Sequence, residues 1–233
     1  MNIFVSNDDG VYAEGIQVLI SELLDQGHHV FVCAPSDDRS CSGHGLSLGK
    51  EVEILKIKEN VFSCTGLPAD CAHLGVRSIF SDIKFDLAIS GINHGGNLGQ
   101  DIYYSGTVAA AREASFLNIP SISLSVCLKD QESSKIHFNT IFKFLDKYLI
   151  DQFVEGFERG DVLNINFPNL PPGQVNGIKH TKPGFRNYTN DILQNESRFI
   201  IKGKYDGVTP NFEDIDSVVV EKGQVSVTKI KVF

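Results

Sequence analysis

I-F-V-S-N-D-D-G, residues 3–10, sets the reading of this chain. Ile3–Ser6 is a short apolar run that stops at polar, glycine-bearing N-D-D-G. A helical pattern follows: Ile16, Leu19, Ile20, Leu23 and Leu24 recur at three- and four-residue spacing. Gly27 suits the position just past the end of that helix. His29–Ala34 (H-V-F-V-C-A) then reads as a second buried strand, closed by Pro35. Residues 3–34 therefore form a β–α–β unit, and such units join parallel strands by a right-handed crossover.

Working outward, Val52–Lys58 and Asn60–Cys64 alternate as a hairpin or two short strands. Pro68 suits the first position of a helix running to about Phe80. Asp86–Ser90 reads as a strand, Gly91–Tyr104 as a long Gly/Asn-rich loop, and Ser105–Phe116 as an Ala-rich helix. Ser121–Val126 and Val162–Phe167 read as strands, with one amphipathic helix over Ile136–Ile150 between them. After residue 176 the regular alternation breaks. Gly177–Thr181, Arg198–Lys204 and Val225–Val232 are strand-like, with a short helical stretch near Ile215–Glu221. The expected architecture is α/β, with a mainly parallel sheet. Residues 1–176 are expected to form the core and residues 177–233 a β-rich add-on of the kind that often pairs with a partner subunit.

The totals narrow the function. A length of 233 residues is ample for one domain with an appendage. A net charge of -8 argues against a duplex-DNA binder, because the polyanion would be repelled. A small phosphorylated substrate remains compatible if a metal ion supplies positive charge. The five cysteines are odd in number and include no C-x-x-C, the pattern of reduced thiols in the cytosol. No apolar run approaches the ~20 residues of a membrane span. The N-terminus enters a strand directly, without the pattern of a signal peptide, so a cytoplasmic location is expected.

Ligands of open α/β sheets bind at the carboxyl ends of the strands. Three polar, glycine-containing segments fall there: Asn7–Gly10, Pro35–Gly45 and Gly91–Thr107. Asp8 and Asp9 are adjacent carboxylates that repel unless a cation or proton lies between them, and hard oxygen ligands suit Mg²⁺, Mn²⁺ or Ca²⁺. The competing reading is a turn whose Asx side chains cap the next helix. In the second segment Ser40 offers a neutral oxygen and His44 a donor to phosphate, unless this is an ordinary polar loop. In the third, Asn93 and Asn97 sit among glycines, and Ser105-Gly106-Thr107 opens a helix whose free N–H groups suit phosphate; a plain cap is the alternative for Ser105. The run is neither a Walker A motif nor G-x-G-x-x-G. His28, His29 and His73 lack metal-ligand spacing and read as structural or surface residues.

Together these motifs resemble the SurE family, survival protein E, a group of stationary-phase nucleotidases. The resemblance rests on S-N-D-D-G (Ser6–Gly10), A-P-x-x-x-R-S (Ala34–Ser40), G-x-P-x-D-C (Gly66–Cys71) and the long block from Ser90 to Val108. Asp216 through Gly223 to V-S-V-T (Val225–Thr228) is similar to the family's closing segment. The resemblance implies a Rossmann-like three-layer α/β/α core, with the C-terminal extension exchanged between subunits of a homodimer or homotetramer. It implies hydrolysis of nucleoside 5′- and 3′-monophosphates, sometimes of short polyphosphate, with one Mg²⁺ or Mn²⁺ per subunit. The metal ligands carry over onto Asp8, Asp9, Ser40 and Asn93, and the phosphate contacts onto Asn97, Ser105, Gly106 and Thr107. Asp8, Asp9 and Asn97 are the expected catalytic residues. Glu14, Cys41 and Ala114 depart from the family's usual Pro, small residue and Gly.

Three other readings compete. An aspartyl-phosphate phosphatase usually needs D-x-D, whereas here the two Asp are adjacent. Zinc-dependent deacetylases carry a His before such a pair, where this chain has Ser6-Asn7. A metal-dependent nucleotide sensor would bind the same ligand without turnover.

Overall fold

The computed structural model describes residues 1–128, 135–145, 147–189, 191–210 and 212–231. Its centre is a nine-stranded sheet of order β3-β4-β2-β1-β5-β6-β7-β13-β8. The strands are β1 (Asn2–Ser6), β2 (His29–Pro35), β3 (Ile54–Lys58), β4 (Val61–Cys64), β5 (Leu87–His94), β6 (Ser121–Cys127), β7 (Val162–Pro168), β8 (Ile178–His180) and β13 (Val225–Ile230). The run from β4 through β2, β1, β5 and β6 to β7 is parallel throughout. The β3 edge strand is antiparallel to β4, and β13 enters antiparallel to β7 and parallel to β8. The chain leaves β1 toward β2 and later resumes on the other side at β5. The gap between β1 and β5 is therefore the topological switch point, where open α/β sheets bind ligands.

Side-chain alternation builds the layers. Ile3 and Val5 of β1 face one core with Val30 and Val32 of β2 and Leu87 and Ile89 of β5. Phe4, Phe31, Cys33 and Ala88 face the other. Helix α1 (Glu14–Asp25) covers the first face through Ile16, Leu19, Ile20 and Leu23, the residues that gave the helical period. Helices α4 (Phe138–Phe144) and α5 (Lys147–Glu155) join it there through Phe138, Ile141 and Phe153. Helices α2 (Pro68–Leu74) and α3 (Gly106–Phe116) cover the opposite face. There Phe4, Phe31, Phe80 and Phe85 meet edge to face. Phe4 is 1% exposed, and truncating such a ring costs about 3–5 kcal/mol. The result is the expected three-layer α/β/α arrangement.

Three local expectations change. The β5 strand does not stop at Ser90 but runs to His94, because Asn93 and His94 pair with Ser125 and Val126 after a register shift. The helix expected to reach Phe80 ends at Leu74 and continues as a single π-type turn, Gly75–Ile79. The single helix expected over Ile136–Ile150 is two helices, since α4 ends with Leu145 at ψ 81. Residue 146 lies outside the described residues, as does Val232 of the expected last strand.

Beyond residue 176, β8 and β13 are part of the main sheet. The remainder forms two antiparallel ribbons: β9 (Phe185–Tyr188) with β12 (Tyr205–Thr209), and β10 (Asp191–Asn195) with β11 (Arg198–Lys202). Helix α6 (Asp216–Glu221) packs on β13 and β7. In the β10–β11 ribbon Ile192 pairs with Ile201 and Leu193 with Ile200, and all four are exposed.

Candidate active site

The N-D-D-G turn leaves β1 at the switch point. Asn7 closes it by donating from Nδ2 to the Gly10 carbonyl at 2.8 Å. The carbonyl of Asp8 accepts from the Arg39 N–H at 2.8 Å, which docks the second polar loop on the first. In that loop, the Ser40 N–H and hydroxyl both donate to Asp38 Oδ1, at 2.7 and 2.6 Å. A hydroxyl that donates to Asp38 keeps its lone pairs for a cation.

The third segment comes from β5 and the turn after it. The register shift between Ser90 and Asn93 is a bulge, a device that re-aims a strand's side chains. Asn93 donates from Nδ2 to the Gly95 carbonyl at 2.8 Å, so its carbonyl oxygen is the end free to act as a ligand. Asn97 is 6% exposed and is held from below by the sheet. Its N–H donates to Asn166 Oδ1 (2.8 Å) and its Nδ2 to Ser125 Oγ (2.9 Å). Its carbonyl accepts from Asn164 and Asn166 at 2.8 and 3.1 Å.

Helix α3 then points its N-terminus at Asp8. Ser105 caps it, its hydroxyl accepting from the Val108 N–H at 3.1 Å. Thr107 is fully buried, and its hydroxyl donates to Asp8 Oδ1. This close approach needs glycine at 106. A Cβ there would stand 2.7 Å from the Asp8 Cβ and 2.8 Å from Pro68 Cγ.

One pocket, of about 1050 Å³, gathers Asp8, Asp9, Ser40, Asn93, Asn97 and Ser105. Gly106 and Thr107 stand behind Asp8. His44 does not join this wall. Its Nε2 lies 2.9 Å from Glu113 Oε2, and it stacks on Phe116 at 5.4 Å. Glu113 also meets His73 Nδ1 at 2.7 Å, so His73 is a structural partner and not a metal ligand. Burial opposes ionisation of Glu113, but the two histidine hydrogen bonds outweigh it and hold the carboxyl below its ordinary value.

The electrostatics favour a cation. Burial raises the Asp8 carboxyl above its ordinary range, against the Thr107 hydrogen bonds that lower it. Burial and then the neighbouring Asp8 and Asp38 push Asp9 up to about 7. Asp9 Oδ2 is buried with no hydrogen-bond partner among the described residues. Of the pocket's described lining residues, Lys202 is the only Lys or Arg, against Asp8, Asp9 and Asp101. A phosphate dianion entering this wall meets net negative charge unless a metal ion inverts it. The donor set is two carboxylates with hydroxyl and amide oxygens, the hard set that Mg²⁺ and Mn²⁺ prefer. Among the described residues no three His, Cys, Asp or Glu side chains gather to hold a metal. A cation held here would need neutral oxygens beside the two carboxylates, and those of Ser40 and Asn93 line the same pocket.

Residue-by-residue reading missed the support beneath the loop. Asn164, Asn166, Ser123 and Ser125 are wholly buried in β6 and β7. Their signal was present: polar residues at a period of two inside runs otherwise apolar, S-I-S-L-S-V and V-L-N-I-N-F. The sequence marks Asp216 only as the start of the family-like closing segment, without a role. It is buried and accepts from the N–H groups of Gly99 (2.7 Å) and Gly184 (3.1 Å).

The fold and the loops gathered at its switch point define a doubly wound α/β protein with an acidic, oxygen-rich pocket at the carboxyl ends of its parallel strands. The family model described as survival protein SurE matches residues 3–190. A 5′-nucleotidase SurE of Actinobacillus pleuropneumoniae is 43% identical over 202 residues, covering 84% of this chain and 78% of that protein. One of Haemophilus ducreyi is 38% identical over 239 residues, covering 99% and 93%. The crystal structure of the SurE protein from Aquifex aeolicus superposes with a TM-score of 0.85 at 34% identity, covering 100% of this chain and 94% of that one. The chain belongs to the SurE family. No helix among its described residues is long and apolar enough to cross a membrane.

Proposed function

We propose that this chain is a divalent-metal-dependent phosphomonoesterase that hydrolyses nucleoside 5′-monophosphates to nucleoside and phosphate. The observation that carries the reading is the pair Asp8 and Asp9. Both are held above the ordinary carboxylate range, one oxygen is orphaned, and a helix N-terminus closes on them. The names of the relatives, 5′-nucleotidase SurE, support the substrate class.

In this reading Asp8, Asp9, Ser40 and Asn93 hold one Mg²⁺ or Mn²⁺. Bound there, the ion supplies Lewis acidity toward a phosphoryl oxygen and acidifies water. The chain's own groups do the rest. Asp9 orients the attacking water. Asn97 and Ser105 receive the phosphoryl oxygens as negative charge builds, a role suited to fixed dipoles in a recessed pocket, and Gly106 lets the helix N-terminus approach Asp8 from behind. Thr107 contributes from behind through Asp8. The same pocket suits 3′-monophosphates and short polyphosphate as further substrates.

Residues 1–176 carry the metal and phosphate ligands, while 177–233 act in assembly as a homodimer or homotetramer and also wall the far end of the pocket. That is a division of labour and not of packing, because β13 lies within the main sheet. The exposed apolar β10–β11 ribbon is the element suited to exchange between subunits. A cytoplasmic location accords with five free thiols.

Phosphate release from AMP with and without Mn²⁺ tests the reading. Steady release that a chelator abolishes, and that Asp8→Asn or Asp9→Asn lowers by about a thousandfold, is expected from loss of several kcal/mol of charge stabilisation. Full activity in both variants contradicts it. AMP binding without release would instead support a sensor.

A further inference from the structure

Phosphate chemistry occupies one end of the pocket. The other end is walled by Tyr104 and by residues of β9 and β11. Asp216 clips that wall to the catalytic segment by accepting from Gly99 on one side and Gly184 on the other. Gln100 exchanges two hydrogen bonds with the Arg186 backbone, at 2.6 and 2.7 Å. Phe185, between Gly184 and Arg186, is therefore fixed relative to Tyr104 and Ser105.

Two features of the wall stand together. Its aromatic surfaces are open: Phe185 is 60% exposed and Tyr104 62%. Several of its hydrogen-bonding groups are already used, with Lys202 the one cationic side chain of the wall among the described residues. Asp101 accepts from Arg186 and from the Tyr188 hydroxyl. Arg186 also lies 4.4 Å over the Tyr205 ring. Both ends of Gln100 are taken, and the Thr189 hydroxyl donates to Asp191 and accepts from the Lys204 N–H.

We propose that this end is a nucleobase subsite in which Phe185 and Tyr104 stack on the base of a nucleoside monophosphate. The proposal rests on the nucleotidase reading and deepens it. Stacking tolerates every base, because each has a π face, whereas choosing among bases needs free donors and acceptors at the base edge. A wall whose open rings make the main contact selects phosphomonoesters that carry a base over those that do not, whichever base it is. Phe185 is then the specificity residue of this site, at the end remote from the ion.

The test compares kcat/KM for AMP, CMP and ribose 5-phosphate, with Mn²⁺, in the wild-type chain, Phe185→Ala and Phe185→Tyr. Wild type is expected to prefer both nucleotides over ribose 5-phosphate. Phe185→Ala should lower both preference ratios by about tenfold, mostly through KM, and Phe185→Tyr should restore them. A purely structural role would move all three substrates together and leave the ratios unchanged, which overturns the proposal. Equal use of ribose 5-phosphate and AMP by wild type also overturns it, yet leaves the phosphatase reading standing. No hydrolysis of any of the three overturns both.

Discussion

Thr107 donates its hydroxyl hydrogen bond to Asp8, a residue 99 positions earlier in the chain. The contact joins the first residue pair after β1 to the first turn of α3, so the carboxylate is oriented before any ligand arrives. Groups that orient a metal ligand in this way are typically worth about 10–100-fold in metal affinity or activity. Thr107→Val keeps the shape and removes the donor. The Mn²⁺ concentration for half-maximal AMP hydrolysis should rise by about tenfold or more, and an unchanged Mn²⁺ requirement would show that Asp8 needs no such partner.

Asp9 leads to a prediction about stability without turnover. Its carboxyl is raised by burial and by Asp8, so charging it in the metal-free protein opposes folding. At pH 8, chelator-treated Asp9→Asn should melt above chelator-treated wild type. Mn²⁺ at a hundredfold excess over its dissociation constant should raise the wild-type Tm by roughly 5–10 °C and leave the variant unmoved. Differential scanning fluorimetry decides this, and an equal Mn²⁺ shift in both proteins would remove Asp9 from the ligand set.

Glu113 governs the acid side. Its folded pKa lies below the ordinary 4.5, so the unfolded chain binds the proton more readily. The stabilisation it supplies is complete above about pH 4.5 and is lost as pH falls through the lowered folded value. Glu113→Gln should therefore cost about 2 kcal/mol at pH 7, the scale of hydrogen bonds to a charged group. The gap to wild type should close in denaturation series run toward pH 3. A gap independent of pH would mean that the His44–Glu113–His73 bridge contributes through packing alone.

The β10–β11 ribbon carries apolar residues on both faces, with Leu193 and Ile200 paired on the face opposite Ile192 and Ile201. A two-stranded ribbon with both faces apolar is marginal alone in water. Leu193→Asp combined with Ile200→Asp should shift the mass measured by light scattering from oligomer to monomer. An oligomer of unchanged mass would place the subunit contact elsewhere.

Much of the core was legible because its signals are local. The apolar run Ile3–Ser6, the period of α1 and the run His29–Ala34 each report burial of one strand or one helix face. Elements decided by distant partners were less legible. The continuation of β5 past Gly91 depends on Ser125 and Val126 of β6, and no sequence pattern around Asn93 announces it. Strands β9, β10 and β12 are short, and their aromatic and branched residues are broken up by Asn187, Asp191, Asp206 and Gly207, so that pairing with one another or with β11 decides them rather than any run of their own. At the site, strand-end position brought out Asp8, Asp9 and Asn93. It could not separate His44, which has the right chemistry in the right loop but is drawn away by Glu113, 69 residues on.

The buried Asn and Ser rungs beneath Asn97 have a consequence for the timing of electrostatic work. In water, each phosphoryl-transfer event would require solvent dipoles to turn toward the new charge. Here Asn164 and Asn166 grip the backbone on both sides of the Asn97 peptide, and Ser125 holds its side chain. In the proposed reaction the dipoles of that loop are set when β6 and β7 pair rather than anew at each turnover. A thermally sluggish loop is thus an advantage at this place in the fold, and loosening it by Asn166→Ala should slow the chemical step even where the ion and the nucleotide still bind.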